Sequence, residues 1–155
     1  MKSFRPSILA LALFALSSCS AIMGEEVARL PVNIVTLSDE DMHVGEATLP
    51  LKADEEVGIW SEMDLEYDGN VELRFRMEVY QDGELIQQLE VDPTQKNISI
   101  NEVRKEINGS VDWRFTGKNG TYPIEADGEY TFKSILVASD NPTLVVHKAE
   151  LVLRK

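Results

Sequence analysis

The chain reads as an all-β protein, an antiparallel sandwich of about seven to nine strands with at most one short helix, on three observations. Over residues 71–80 apolar and polar side chains alternate without a fault, with Val71, Leu73, Phe75, Met77 and Val79 set against Glu72, Arg74, Arg76, Glu78 and Tyr80. The same period of two recurs in Ile59, Ser61, Met63, Leu65, Tyr67 and again near the end in Tyr130, Phe132, Ser134, Leu136. Such a period specifies strands with one buried and one solvated face. Between the runs stand Asp68-Gly69-Asn70, Asp82-Gly83, Asp127-Gly128 and Asp140-Asn141-Pro142, the residue types that reverse a chain. The third observation is negative: the one cysteine, Cys19, cannot close an internal bridge, so packing alone must hold the fold.

In chain order, residues 1–18 read as a secretory signal. Lys2 and Arg5 precede an unbroken apolar run from Ile8 to Leu16. That run is far short of the ~20 residues that a membrane-spanning helix needs. Leu16-Ser17-Ser18-Cys19 resembles the lipobox of bacterial lipoproteins. The resemblance implies cleavage between Ser18 and Cys19, a diacylglyceryl group on the Cys19 thiol, further acylation of the new amino group, and membrane attachment through that lipid. Ser20, where an Asp would signal retention in the inner membrane, implies the outer membrane of a diderm bacterium. Residues 19–30 have no usable period and read as the lipidated Cys followed by a flexible tether, with a short frayed helix as the alternative. A single sandwich domain is expected over 31–155.

Within that domain, Val32 to Leu37 and Ala47 to Lys52 are short strand candidates around the acidic loop Ser38-Asp39-Glu40-Asp41. The turn Asp68-Gly69-Asn70 would let Leu65 face Leu73 and Met63 face Phe75 in a meander. After Tyr80, a three-residue loop Gln81-Asp82-Gly83 with a bulge would pair Val79 with Leu85, Phe75 with Leu89 and Leu73 with Val91. A two-residue loop would send Leu85, Leu89 and Val91 to the polar face. The same register sets Arg74 between Asp64 and Glu90, and Arg76 between Glu62 and Gln88, as a ladder of opposite charges. Ser99 and Glu102 fit a capping box, so Ile100 to Ile107 is a short helix or an irregular strand. Val111, Trp113 and Phe115 begin the next strand. A four-residue loop then joins the last two strands by pairing Leu136 with Val145 and Tyr130 with Leu151.

From Val111 to Val137 the sequence VDWRFTGKNGTYPIEADGEYTFKSILV resembles the C-terminal half of the immunoglobulin-like module of flagellar hook-capping proteins and related secreted bacterial proteins. The shared features are a strand ending in Trp, a Gly-containing loop and a D-G-x-Y-x-F strand. The compact Trp-Asp-Gly turn of that family is missing, since Gly117 lies four residues after Trp113. The resemblance implies an immunoglobulin-like sandwich and no flagellar role, because that fold hosts many functions.

Charge narrows the function. Lys2 and Arg5 leave with the leader, so 13 basic residues stand against 27 acidic ones, a net charge of −14. Such a chain repels nucleic acid and anionic headgroups. His43 and His147 are the only histidines. His147 falls on the inward face of its strand, and His43 lies among Asp39, Glu40, Asp41 and Glu46 in what reads as a solvated loop. Glu62, Asp64, Glu66 and Asp68 alternate along a straight strand and diverge rather than wrap a calcium ion. No catalytic residue, metal ligand or cofactor is expected. The register gathers Trp60, Tyr80 and Ile86 at one end of an outer sheet face, either as an exposed partner-binding patch or as a second small core under residues 32–51. The expected function is a non-enzymatic, lipid-anchored envelope protein that binds a protein partner as an accessory, assembly or adhesion module. The alternative is a lipoprotein that binds a small ligand or metal and delivers it to a transport system.

Overall fold

The computed structural model describes residues 20–155. The leader, the Ser18/Cys19 cleavage position and the Cys19 lipid site lie outside the described residues. A single helical turn, α1 (Ser20–Met23), precedes β1 (Glu26–Pro31), β2 (Gly45–Leu51), β3 (Glu56–Asp68), β4 (Leu73–Gln81), β5 (Glu84–Val91), β6 (Ile98–Ile107), β7 (Ser110–Pro123), β8 (Gly128–Ala138) and β9 (Val145–Arg154). The nine strands make the expected sandwich, a five-stranded sheet ordered β1-β9-β3-β7-β6 packed on a four-stranded sheet ordered β2-β8-β4-β5. All paired strands run antiparallel.

The alternating runs supply the core. Ile59, Met63 and Leu65 of β3, Leu73, Phe75, Met77 and Val79 of β4, Phe132 and Leu136 of β8, and Leu151 and Leu153 of β9 are all buried between the sheets. Each fully buried side chain of this size contributes about 1.5–3 kcal/mol.

Several local expectations are corrected. Glu26 to Leu30 belong to β1 and not to a tether, so the fold begins before Pro31. Residues 32–37 form no strand. They cross the edge of the sandwich, held by Val32 N–H to Ala149 O (3.0 Å), Thr36 N–H to Leu136 O (2.8 Å) and one bridge between Val35 and Leu136. The stretch 100–107 lies in β6, the irregular-strand alternative. Its irregularity is a bulge at Asn101 (φ 54°), and the capping-box pair Ser99 and Glu102 hydrogen-bonds across it at 2.6 Å.

The two largest corrections concern turns. Asp68-Gly69-Asn70 carries the chain from β3 in one sheet to β4 in the other, so the meander does not form. Asp140-Asn141-Pro142 likewise joins β8 and β9 of opposite sheets. One side chain ties these corners together, because Asn141 Nδ2 donates to Asp68 O (2.9 Å) and Asn70 O (3.0 Å). The β4–β5 connection is a hairpin, but with a two-residue turn. Asp82 (φ 49°) and Gly83 (φ 86°) both take positive φ, as a type I′ turn requires, and Gln81 pairs with Glu84. The extra residue sits further along. Tyr80 pairs with Leu85 and Val79 with Gln87, so Ile86 is bulged, and Met77 faces Leu89 while Phe75 faces Val91. Leu89 and Val91 reach the core face as expected, through a strand bulge rather than a longer loop, but Leu85, before the bulge, pairs with Tyr80 on the outer face and is exposed.

Candidate functional site

The three residues expected to form one patch are separated. Trp60 is on the outer face of the five-stranded sheet, between Val152 of β9 and Lys118 of β7, and is only 1% exposed. The Arg154 guanidinium lies 5.8 Å from its ring centroid. Tyr80 is on the outer face of the opposite sheet. Ile86, in its bulge, is 43% exposed and lines a separate hollow of about 430 Å³ with Leu89, Tyr122 and Tyr130. Trp60 is therefore no exposed anchor. The separation follows from the corner at Asp68-Gly69-Asn70, which puts β3 and β4 on opposite layers.

Tyr80 keeps its place in a surface feature. It lines an open groove of about 760 Å³ across β4, β5 and β8, closed on one side by Met42 and Val44 of the loop before β2. Ile135 supplies further apolar surface, and Met42 and Val44 are both about half exposed. Charged residues line it in pairs, Arg76 with Glu90 (3.2 Å) and Lys133 with Glu46 (3.5 Å). Glu78 is held by neutral donors, Tyr80 O–H at 2.7 Å and Gln88 Nε2 at 3.1 Å. These hydrogen bonds hold the Glu78 carboxyl below the usual carboxylate range. The same contact with Glu78 raises the Tyr80 phenol above its usual value, so at neutral pH it stays a hydroxyl. With Lys133 Nζ 5.0 Å from its ring centroid, Tyr80 offers a face, an edge and a polar tip to a ligand but no general base.

None of the pairs expected of the charge ladder forms, and β5 is registered so that Arg76, not Arg74, stands opposite Glu90. Arg76 reaches Glu90, whereas Arg74 takes Asp92 at 2.8 Å, because Glu62 and Asp64 belong to the other sheet. Glu62 there joins Arg29 (2.9 Å) and Lys148 (2.6 Å), with Glu150 also on Arg29. The Arg29 guanidinium first, and then Lys148, hold the Glu62 carboxyl down to about 2.

A second ionic cluster plugs the open flank of the sandwich beside β6. Lys96 lies over Phe115 (3.8 Å to the centroid) and Trp113 (4.8 Å), and Arg104 covers Trp113 at 4.8 Å. Glu102 accepts from Lys96 (2.8 Å), Ser99 (2.6 Å) and the Trp113 Nε1–H (2.8 Å). Lys96, then Ser99, bring its carboxyl to about 2. A Cβ on Gly117 would overlap the Lys96 side chain, so this stack needs glycine there. The cluster substitutes cations on aromatic faces for the apolar cover that the shorter sheet does not extend.

His147 faces outward, 3.0 Å from Glu66, and not into the core. The reason is a bulge in β9, where Asp64 pairs with Lys148 but Leu65 with Val146, leaving His147 unmatched. His43 lies 3.5 Å from Asp41 in the loop before β2. No group of three or more metal-ligating side chains occurs among the described residues, and no described helix is long and apolar enough to cross a membrane.

The sequence reading missed Met42, Val44 and Ile135 as site residues. Their signal was an apolar residue where the local pattern calls for a polar one. Met42 and Val44 flank an acidic loop, and Ile135 sits on the outward phase of β8. No protein-family model and no curated protein matches the chain.

Proposed function

We propose that this chain is a non-enzymatic, lipid-anchored envelope protein that docks a protein partner in the groove around Tyr80. The lipobox-like Leu16-Ser17-Ser18-Cys19 after an apolar leader supports the anchor. The single observation that carries the binding role is the groove itself. Apolar Met42 and Val44 of the loop and Tyr80 and Ile135 of the outer sheet face are left accessible, interleaved with the charged pairs Arg76–Glu90 and Lys133–Glu46. An accessible aromatic, neighbouring apolar groups and charges neutralised in pairs are features of a docking surface. Its open form along three strands suits a chain segment better than an enclosed small molecule.

The test is a photo-crosslinking residue at Met42 in intact cells. A discrete heavier adduct is expected, weakened by Tyr80→Ala and by Ile135→Asp, while the same residue at Asn108, in the distant β6–β7 turn, gives none. Identical adducts from both positions, or adducts unaffected by both substitutions, would reject the groove as the binding surface.

A further inference from the structure

Resting on the lipid-anchored reading above, we infer that the domain stands on its anchored membrane with one particular end toward the bilayer. That end carries the Lys52–Glu56 and Ile124–Gly128 loops, and the corners at Asn70 and Asn141 point away. The chain fixes this through the shortness of its link. Glu25 is already tied into the fold, its N–H donating to Lys155 O at 2.7 Å and its carbonyl accepting from Lys155 N–H at 2.9 Å. Six covalent steps from Cys19 to Glu25 reach about 20 Å even when fully extended. Ser20–Met23 forms a helical turn, which shortens the link further.

The docked end can be followed bond by bond. Lys155 Nζ pairs with Glu55 at 2.9 Å, and Glu55 O accepts from Ile124 N–H at 2.9 Å. Ala53 N–H donates to Asp127 at 2.8 Å. Glu25, Glu55, Ile124 and Asp127 thus share one end of the sandwich. The far end lies a full strand away. β3 runs 13 residues from Glu56 to Asp68, about 40 Å along its axis. A 20 Å link cannot let the far corners reach the headgroups while the near end is free, unless the domain lies on its side.

Charge opposes that tilt. The net charge of −14 repels anionic phosphates as a whole, so lipid and link set the height. The Tyr80 groove then opens sideways, parallel to the membrane. The hollow lined by Ile34, Leu37 and Leu144 belongs to the outward half, beside the Asn141 corner.

The test uses full-length lipidated protein reconstituted into phosphatidylcholine vesicles containing a headgroup nitroxide lipid. A fluorophore is placed on Glu125→Cys or on Asn70→Cys, both exposed sites, with Ala126→Cys and Asp140→Cys as a second pair should either variant misfold. Cys19, its thiol carried as a thioether to the diacylglyceryl group, takes no label. Quenching several-fold stronger at Glu125 than at Asn70 is expected. Equal quenching, or stronger quenching at Asn70, overturns the orientation while leaving the anchor intact. Wild-type protein that fails to float with the vesicles, or that takes label on Cys19, overturns the anchor on which the inference rests.

Discussion

Glu62 shows how much a single ion group can matter here. Its carboxylate sits between Arg29 of β1 and Lys148 of β9, only 16% exposed, and links the edge strand to the centre of its sheet. Because Arg29 and Lys148 depress its titration to about 2, the stability it contributes is complete above the ordinary carboxylate value and is lost as pH falls through 2. Glu62→Gln should lower stability by about 1–3 kcal/mol at pH 7, and acid unfolding should become shallower between pH 4.5 and 2. Equal urea midpoints for both proteins at pH 7 and pH 3 would contradict this. Trp60 supplies the second residue-scale prediction. Being buried, Trp60→Ala should cost about 3–5 kcal/mol, read as a large drop in melting temperature. Unchanged melting would show that the indole is not packed. Neither partner of Glu62 was legible in the sequence, since both are distant in the chain and local alternation pointed to Arg74 and Arg76 instead.

At the scale of elements, periodicity told which side chains face the core far better than it told which strands are neighbours. The alternation in β4 and β8 matches their buried rows, and in β3 it does so except that Gly58 and Trp60 on the other face are buried as well. A turn such as Asp68-Gly69-Asn70, however, serves equally for a hairpin within one sheet or a corner between two, and the bonds that hold it as a corner come from distant residues such as Asn141 and Thr143. Bulges are the other blind spot. In β9, His147 shifts the phase, and in β5, Ile86 does. The β5 case yields a paired prediction. Deleting Ile86 removes the bulge but keeps Leu89 opposite Met77 and Val91 opposite Phe75, so it should cost under about 1 kcal/mol. Inserting one alanine between Gln88 and Leu89 turns both apolar residues outward and should cost about 2–4 kcal/mol. Urea unfolding of the two variants checks this. An insertion tolerated as well as the deletion would show that β5 is held by something other than its apolar face. The strand β6 is exposed from Asn101 onward, and it combines the Asn101 bulge with Arg104, Lys105 and Glu106, which discourage further strands from adding to that edge.

For the whole molecule, the sandwich was legible because the alternating runs and the want of any disulfide leave few other ways to bury so many β-rich segments. The candidate site was legible only in Tyr80. Its other walls come from a loop and a strand that are remote in the chain, and Trp60 left the patch when β3 and β4 parted. In the proposed function, the leader, the lipobox-like tetrapeptide, the short link to Glu25 and the groove serve a binding domain held close to a membrane by lipid. The most direct test is the mass of the N-terminal tryptic peptide from membrane-extracted protein. The expected result is a peptide spanning Cys19 to Arg29 that carries a diacylglyceryl group, with or without a further acyl chain on its amino group. A peptide reading through Ser18 into Cys19, or one beginning at Cys19 with a free thiol, would contradict the account.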